Sequence, residues 1–320
     1  MKTYVAVDLG GTNIRAERYS PDAASLARFS LKTNAHEGPR VVLDRLLQTI
    51  QSVLPADKGE VAAIAIGAPG PLDPKAGVVI NAPNLAGWEN VPLRDVIKSR
   101  FGLPVVLGND ANLAALAEWK FGAAKGHQDL IYLTVSTGIG GGIISGGRLI
   151  TGDRGLAGEL GHTIAVWPDG PLCGCGQYGC LEAVASGPAI ARRAIERVRE
   201  GVRSRIPSLA PGGLSTVTAE IVGQAAFEGD RLAAEIVAEA GGHLGRCIAN
   251  FLHIFNPSIV VVGGGVSRIG DLLFDAMRAG VQKYAQTEAY WKNCPIVPAA
   301  LGDDVGLLGA LALGLDFTPE

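Results

Sequence analysis

The stretch KTYVAVDLGGTNIRAERY, residues 2–19, has the pattern of a strand, a glycine turn and a returning strand. Residues 2–8 alternate as a strand does, and residues 13–19 form the return. The same pattern begins again at LIYLTVSTGIGGGIISGGRLI, residues 130–150. In both places, alternating helices and buried strands follow. The repeat is one of architecture, with little residue identity, and it predicts two related α/β domains with mixed sheets.

Hydrophobic periodicity and glycine punctuation predict the other elements. Buried strands are expected at residues 61–70, 104–110 and 256–266, and a short strand is expected at residues 294–299. Helices are expected at residues 41–54, 91–101, 111–122, 187–200, 216–227, 230–255 and 305–315. Pro92 is expected in the first turn of its helix. Residues 201–213, GVRSRIPSLAPGG, carry the weakest pattern and are expected to be a mobile connection.

The composition excludes several classes of protein. Of 320 residues, 48% are hydrophobic and 18% are charged, which is typical of a folded globular chain. The net charge of −3 offers no basic surface to nucleic acid or anionic lipid. No apolar run is long enough to span a membrane, and the first one is too short for a signal peptide. We therefore expect a cytoplasmic protein of about two domains that binds neither nucleic acid nor membrane.

Three glycine loops directly follow buried strands. They are DLGGT (8–12), STGIGGG (136–142) and VVGGGV (261–266). Glycine turns let backbone N–H groups approach phosphate oxygens closely, although each loop alone could be a hairpin turn. None fits the P-loop or the dinucleotide fingerprint. Asp8, just before the first loop, could cap the turn or hold Mg²⁺ through water.

The stretch GNDAN, residues 108–112, places Asn109 and Asp110 between a strand and a helix. One interpretation makes Asp110 the N-cap of that helix. A phosphoryl-transfer enzyme also needs a carboxylate that accepts the proton of its acceptor hydroxyl, and Asp110 is the candidate. The two interpretations are compatible, and Asn109 would orient the same hydroxyl.

Three of the five cysteines lie within the eight residues CGCGQYGC, 173–180. In a reducing compartment such a cluster indicates a metal more than a disulfide, although a disulfide with a free thiol remains the alternative. The predicted ligands of a closed, structural Zn²⁺ site are His162, Cys173, Cys175 and Cys180. Cys247 and Cys294 are expected to be buried apolar residues.

Eight short motifs are distributed over essentially the whole chain. They are DLGGT (8–12), GAPGPLD (67–73), NLAGW (84–88), GNDAN (108–112), STGIGGG (136–142), GELGH (158–162), CGCGQYGCLE (173–182) and NPSIVVVGGG (256–265). In this order they resemble the ROK family of sugar kinases, and most of all its bacterial ATP-dependent glucokinases. Some ROK proteins are repressors with an N-terminal helix-turn-helix domain. This chain starts at the first loop, so we expect that domain to be absent.

The resemblance implies an α/β, actin-like ATPase (ribonuclease H-like) fold, with two α/β domains and mixed sheets around a central cleft. We expect a small domain of residues 1–109 with 303–320, and a large domain of residues 110–302 that carries the zinc-binding stretch. A homodimer is also the family expectation.

The resemblance further implies phosphoryl transfer from ATP, with Mg²⁺, to the 6-hydroxyl of glucose, and Asp110 as the catalytic base. The implied sugar-binding residues are Asn84, Asn109, Asp110, Glu159, His162 and Glu182. The predicted ATP-binding residues are Asp8, Gly10, Gly11, Thr12, Thr137, Gly138, Gly263, Gly264 and Gly265. Zinc would act as a template, because a metal-bound imidazole has a fixed tautomer and its other ring N–H can donate to a sugar hydroxyl.

Several alternatives stay open at this point. The acceptor could be mannose, fructose, N-acetylglucosamine or N-acetylmannosamine, and the donor could be polyphosphate. A sugar sensor without turnover is a different class, which the complete set of Asp8, Asp110 and the glycine loops argues against. A metal-stapled interaction module would leave the glycine loops unexplained.

Overall fold

The computed structural model describes residues 2–82 and 84–317. The chain divides into two compact units. The first consists of Met1–Gly126, Leu149–Gly158 and Ala300–Glu320, and the second of His127–Arg148 and Glu159–Ala299. Within the described residues, no helix combines the length and the apolar character that crossing a membrane requires.

A five-stranded mixed sheet forms the centre of the first unit. Its strands are β1 (Thr3–Leu9), β2 (Asn13–Tyr19), β3 (Ser25–Lys32), β4 (Val61–Ala68) and β8 (Val105–Asn109), in the spatial order β3-β2-β1-β4-β8. β2 pairs antiparallel with both β1 and β3, whereas β4 is parallel to β1 and β8 is parallel to β4. The predicted hairpin is confirmed, and Asp8 lies opposite Arg15 across its ladder.

Helices pack against this sheet and complete the core of the first unit. They are α1 (Pro39–Val53), α3 (Asp110–Lys120) and α10 (Val305–Asp316). The face of α1 that carries Val42, Leu46 and Ile50 is fully buried, as its periodicity predicts. α10 packs closely on α3, because a Cβ at Gly309 would overlap the carbonyl of Leu113.

A small second sheet and one more helix belong to the same unit. The sheet contains β5 (Leu72–Asp73), β6 (Val78–Asn81) and β7 (Glu89–Val91), and α2 (Leu93–Phe101) follows it. The predicted helix 91–101 therefore begins two residues late. Pro92 is its N-cap rather than a residue of its first turn, since the preceding residues extend into β7.

The second unit repeats the sheet order of the first. Its strands are β9 (Leu130–Val135), β10 (Ile139–Ser145), β11 (Arg148–Leu149), β12 (Ile259–Gly263) and β13 (Ile296–Pro298), in the order β11-β10-β9-β12-β13. β9 and β10 are antiparallel, whereas β9, β12 and β13 are parallel. The predicted mixed sheets are thus present in both units, with the third, second, first, fourth and fifth strands in matching order.

Six helices complete the second unit. They are α4 (Leu181–Ala185), α5 (Gly187–Arg199), α6 (Ile206–Leu209), α7 (Ala219–Phe227), α8 (Arg231–Phe255) and α9 (Asp271–Tyr284). The long helix α8 packs on α9 with little space between the backbones. A Cβ at Gly245 would overlap the carbonyl of Met277, and one at Gly280 would lie 3.0 Å from the Cα of Gly245. Only glycine permits so close a contact.

The structure differs from the sequence predictions in two further places. Strand β3 was not predicted, because its residues are mostly exposed at the edge of the sheet and only alternate ones pack inward. Residues 201–213, predicted as a mobile connection, contain α6, in which Ile206 is fully buried. Burial of Ile206 and Ala210 and the hydrogen bond from the Arg205 N–H to Asp230 hold this segment, and such contacts leave no periodic pattern in the sequence.

The division into units also differs in outline from the predicted domains. The predicted small domain ends at residue 109, whereas the first unit includes α3 and the segment Leu149–Gly158. The reason is packing, since α3 lies against α10 and the amide of Asn112 contacts the carbonyl of Ala157. The domain boundaries that we expect from the sequence, residues 1–109 with 303–320 and residues 110–302, remain a prediction.

Candidate active site

The parallel strands of the first unit bring two predicted acidic residues to one edge of its sheet. Asp8 is level with Gly67 on β4, and Gly67 is level with Gly108 on β8. Two steps between strands place Asp8 about 10 Å from Gly108. Asp110 follows two residues after Gly108, so both carboxylates belong to the carboxyl edge of this sheet. Ligand sites in α/β proteins are commonly found at this edge.

Asn109, and not Asp110, is the N-cap of α3. The Oδ1 atom of Asn109 accepts the N–H groups of Ala111 at 3.0 Å and Asn112 at 3.3 Å. Asp110 is the first residue of the helix, and its Oδ1 accepts the Ala111 N–H at 2.7 Å. The prediction that Asp110 caps the helix is wrong, because the extended backbone that a cap requires belongs to Asn109. The helix N-terminus still favours the negative charge of Asp110.

The side-chain amide nitrogen of Asn109 lies beside the turn after β4. A Cβ at Gly70 would lie 2.9 Å from the Nδ2 of Asn109. Because Gly70 has no side chain, it leaves space for the side-chain amide of Asn109. With Oδ1 engaged by the helix, Nδ2 is the atom of Asn109 that can donate to a ligand hydroxyl.

Asp8 forms an ion pair that the sequence did not predict. Its Oδ2 accepts from Arg15 Nη2 at 2.5 Å and from Nε at 3.0 Å. Both side chains are about four-fifths buried, with 18% of Asp8 and 24% of Arg15 exposed. Arg15 Nη1 also donates to the carbonyl of Asp303 at 2.6 Å. The cross-strand register of the hairpin, which places these residues opposite one another, is the signal that could have revealed the pair.

The first glycine loop is closed by backbone contacts and lies beside Asn84. The Gly10 N–H donates to the carbonyl of Asn13 at 3.0 Å, and the hydroxyl of the buried Thr33 donates to the carbonyl of Gly10 at 2.6 Å. A Cβ at Gly11 would lie 3.2 Å from the Cβ of Asn84. The structure therefore brings a predicted sugar-binding residue against a predicted phosphate loop.

In the second unit, the four predicted zinc ligands converge. One donor atom from each of His162, Cys173, Cys175 and Cys180 lies within 4.8 Å of the other three. Cys175 Sγ is 3.7 Å from Cys180 Sγ, and Cys173 Sγ is 3.8 Å from His162 Nδ1. Two sulfur ligands of a tetrahedral zinc ion lie about 3.8 Å apart, given a Zn–S distance of about 2.3 Å. The donor set and its spacing therefore fit Zn²⁺.

The alternative of a disulfide does not fit these distances. A disulfide joins its sulfur atoms at about 2.05 Å, and all five cysteines are free in this structure. Cys247 and Cys294 are buried outside the cluster, as predicted. Burial raises the pKa of the Cys294 thiol to about 11.

Burial and backbone contacts act differently on the three clustered thiols. Desolvation raises the pKa of Cys173, and it raises the pKa of Cys180 to about 12. The exposed Cys175 has a lowered pKa, mainly because the Gln177 N–H donates to its sulfur. Without a metal, the two buried sulfurs are therefore stable as neutral thiols, and a cation would be needed to hold all three as thiolates.

Two carboxylates flank the cluster. Glu159 Oε2 is 4.0 Å from His162 Nε2, which is the ring nitrogen that does not face Cys173. Glu182 Oε1 lies 3.6 Å from Cys173 Sγ, and its Oε2 accepts the N–H of Ile139 at 2.9 Å. Glu182 thus joins the cysteine stretch to the second glycine loop. A Cβ on Gly138 would lie 2.6 Å from Glu182 Oε2, so a side chain there would displace this carboxylate.

A cavity of about 1100 Å³ lies within the second unit. It is bounded by the loop after β9, the turn after β12, and the helices α5 and α7. Among the lining residues are Ser136, Thr137, Gly187, Pro188, Arg192, Ile195, Val217, Phe227, Gly265 and Ile269. Thr137 and Gly265 were predicted to bind ATP. The residues from α5 and α7 were not, because an amphipathic helix gives no sign that part of its surface faces a cavity.

Backbone contacts hold the loops of this cavity together. The Gly187 N–H at the start of α5 donates to the carbonyl of Ser136 at 2.8 Å. Gly264 has a φ of +85°, and a Cβ on it would overlap the backbone of Val135. The glycine loops after β9 and β12 are therefore in direct contact, next to a helix N-terminus. Such an arrangement of backbone N–H groups favours a bound anion.

Comparison with known proteins agrees with this geometry. The model of the ROK family matches residues 4–316. The glucokinase of Thermotoga maritima is 40% identical over 309 residues, which cover 97% of this chain and 96% of that protein. The N-acetylmannosamine kinase of Shigella flexneri is 34% identical over 312 residues, covering 97% of this chain and 98% of the relative.

A solved structure shows the same fold. The ROK family glucokinase from Streptomyces griseus, crystallised with glucose and AMPPNP, is 36% identical and superposes with a TM-score of 0.82. The match covers 97% of this chain and 98% of the other. The predicted actin-like ATPase fold and the predicted resemblance are both confirmed. The chain belongs to the ROK family.

Proposed function

We propose that this protein is an ATP-dependent glucokinase, which transfers the γ-phosphoryl group of ATP to the 6-hydroxyl of glucose. The observation that carries the proposal is the position of Asp110, a carboxylate at the N-terminus of α3 on the carboxyl edge of the first sheet. The near full-length similarity to glucokinases supports both the reaction and the substrate.

Asp110 acts as the general base in this proposal. Its carboxylate accepts the proton of the 6-hydroxyl while the hydroxyl oxygen forms a bond to the γ-phosphorus. The bond from the γ-phosphorus to the bridging oxygen breaks, and ADP leaves with that electron pair. Asn109 donates its Nδ2 hydrogen to the same hydroxyl, because its Oδ1 is already engaged by α3. General-base catalysis of this kind typically contributes about 10²- to 10⁴-fold in rate.

The nucleotide occupies the cavity of the second unit in this proposal. Thr137, Gly138 and the loop Gly263–Gly265 line or support the place where backbone amides and the N-terminus of α5 meet. In the first unit, the loop of Gly10, Gly11 and Thr12 would supply further N–H donors from Gly11 and Thr12, because the Gly10 N–H is engaged by Asn13. Mg²⁺, when bound with ATP, neutralises phosphate charge. Asp8 would hold it through water, because Mg²⁺ bound to phosphates usually keeps several of its waters. The Oδ2 atom of Asp8 is already engaged by Arg15.

Zn²⁺ is the metal that His162 and the three cysteines would hold, and its role is structural. Its site has four protein ligands and is closed, as structural zinc sites are. His162 would bind through Nδ1, the atom that faces Cys173. Its Nε2–H then donates to a sugar hydroxyl, while Glu159 and Glu182 accept hydroxyl hydrogen bonds. Asn84, beside the first glycine loop, is the remaining proposed sugar contact.

One measurement tests the reaction and the substrate together. Purified protein is mixed with Mg-ATP and a panel of glucose, mannose, fructose, N-acetylglucosamine and N-acetylmannosamine, and ADP release is followed. We expect strong turnover with glucose. Preference for N-acetylmannosamine, which is the acceptor named for the Shigella relative, would keep the mechanism and replace the substrate. Sugar binding without turnover of any sugar would instead indicate a sensor.

Replacing ATP by polyphosphate in the same assay tests the donor. A homodimer and a cytoplasmic location remain predictions from the sequence, and sedimentation of the purified protein would test the first of them.

A further inference from the structure

Glu118 is a buried charged residue that the proposed mechanism does not use. It lies near the end of α3 and is fully buried, at 0% exposure. Its Oε2 accepts the N–H of Ala123 at 2.8 Å, and its Oε1 accepts the N–H groups of Ala300 at 2.9 Å and Leu301 at 3.0 Å. A buried carboxylate is costly unless it is hydrogen-bonded. Three backbone amides, from two separate segments of the chain, meet that requirement here.

Both segments lie where the chain passes from one unit to the other. The first segment of the first unit ends at Gly126, just after Ala123, and its last segment begins at Ala300. The N–H of Ala299 donates to the carbonyl of Val262 within the second unit, at 2.9 Å. The next N–H, of Ala300, donates to Glu118. The N–H groups of two consecutive residues, Ala299 and Ala300, are therefore bonded to different units. Backbone rotation at this passage is confined to the bonds between these two N–H groups.

The earlier passage has the same construction. The carbonyl of Glu118 accepts the N–H of Ala124 at 3.0 Å, which fixes the last residues of the first unit. Gly126 follows with a φ of +93°, a conformation that favours glycine. Gln128, two residues later, already bonds to Gly147 in the second unit. Here too, only a few residues lie between the backbone groups that are fixed in the two units, Ala124 and Gln128.

The Glu118 carboxylate leaves no room for a side chain at position 122. A Cβ at Gly122 would overlap its Oε2 atom. The glycine of the turn after α3 is thus required for the carboxylate to reach the amides of the returning segment. The carboxylate and the glycine together form one element of structure, which we call the Glu118 anchor.

We propose that Glu118 is a positioning residue, which anchors two of the passages between the units to the helix that carries Asp110. The inference rests on the proposed kinase function. In kinases, substrate-induced closure uses a few hinge residues that absorb the change in φ and ψ. The anchor keeps the first-unit side of both hinges fixed, so that α3 holds Asp110 in place through closure.

The direct test is Glu118→Gln, because a carboxamide presents an NH₂ group to amides that need an acceptor. We expect kcat/KM for glucose to fall about 10- to 100-fold, as small misplacements far from the reacting atoms can cause. Changes in hinges commonly alter kcat and KM together. Small-angle scattering should show a weaker glucose-dependent decrease in the radius of gyration than in the wild type.

The matched control is Lys120→Gln, two residues further along α3. Lys120 forms a surface ion pair with Asp316 of α10 and is not one of the groups that build the anchor. The variant should keep wild-type kinetics and the wild-type scattering change. Gly122→Ala should reproduce the effect of Glu118→Gln, since it displaces the carboxylate while leaving it in the sequence.

A purely stabilising role would give a different result. Glu118→Gln would then melt earlier but would show wild-type kcat, KM and closure well below its melting temperature, and this outcome overturns the proposal. If the variants do not fold, residue-level hydrogen exchange on the wild type decides. The amides of Ala123, Ala300 and Leu301 should exchange slowly with and without glucose, and fast exchange without glucose overturns the anchor. A wild type that phosphorylates no sugar would instead refute the proposed function.

Discussion

The two units share one sheet order but differ in the groups at the carboxyl ends of their parallel strands. In the first unit the strand ends carry carboxylates, Asp8 on β1 and Asp110 after β8. In the second unit glycine loops follow β9 and β12, the counterparts of β1 and β4, and the cluster of His162 with three cysteines lies beside them. Both units therefore have a glycine loop after their first strand, and the first unit adds two carboxylates at its strand ends. A kinase needs both, a base for its acceptor and donors for its phosphates.

The largest expected effect comes from the carboxylate of the first unit. Asp110→Asn keeps the size and the helix position of the side chain but removes its basicity. We expect kcat to fall about 10²- to 10⁴-fold, with the KM for glucose changed little. Steady-state kinetics with Mg-ATP measure both, and circular dichroism confirms the fold. A near-normal kcat would show that Asp110 is not the general base. The first unit would then not be the one that supplies the base for the acceptor.

The next effect tests the metal cluster of the second unit. Cys175→Ser removes one thiolate, and we expect zinc content and glucose affinity to fall together, the KM rising roughly 10- to 100-fold. Metal analysis and kinetics on the same preparation make the measurement. Cys247→Ala is the control, since this buried cysteine lies outside the cluster. Zinc loss with an unchanged KM would show that the metal does not organise the sugar contacts.

A smaller effect is expected from the link between the cluster and the second glycine loop. Gly138→Ala places a Cβ 2.6 Å from Glu182 Oε2 and so disturbs the Glu182–Ile139 hydrogen bond. We expect the KM for glucose to rise roughly tenfold, because a hydrogen bond to a charged group contributes about 1.5–3 kcal/mol. Gly242→Ala, where a Cβ meets nothing within 4 Å, should behave as the wild type. Equal kinetics for the two variants would argue against Glu182 as a sugar contact.

The smallest effect concerns stability at alkaline pH. Burial raises the pKa of Cys294 to about 11 from an ordinary value of 9.0. The neutral thiol is therefore favoured in the folded state, and this contribution is present below pH 9 and lost as the pH rises towards 11. Denaturation at about pH 8 and about pH 11 should show the wild type losing on the order of 1–2 kcal/mol more than Cys294→Ala. Equal losses would show that Cys294 ionises normally.

Local patterns were sufficient to predict much of this molecule. The strand–turn–strand repeat, the glycine loops and the Cys-x-Cys-x₄-Cys spacing each lie within about twenty residues of sequence, and the structure contains all of them. Short-range patterns of this kind report which side of a strand or helix is buried and where the backbone turns. These patterns can be interpreted from the sequence alone because residues that are close in sequence are also close in space.

Helix boundaries proved harder to predict at polar residues. Asn109 and Asp110 are both good caps, and the sequence favoured the wrong one. The choice depends on which residue leaves β8 with an extended backbone, and that is decided by the register of the strand in its sheet. Edge strand β3 and helix α6 were missed for a related reason, since their order comes from contacts with distant parts of the chain.

The sequence by itself predicted the fold class, the repeated architecture, the family and the four residues whose donor atoms converge in the structure. Only the tertiary structure decided the partners of the charged groups. Asp8 pairs with Arg15, Glu182 joins the metal cluster to Ile139, and Glu118 bonds to amides 182 and 183 residues away. Periodicity shows that a residue is buried but carries no information about what lies opposite it. That is decided by the packing of whole elements, which brings distant residues within hydrogen-bond distance.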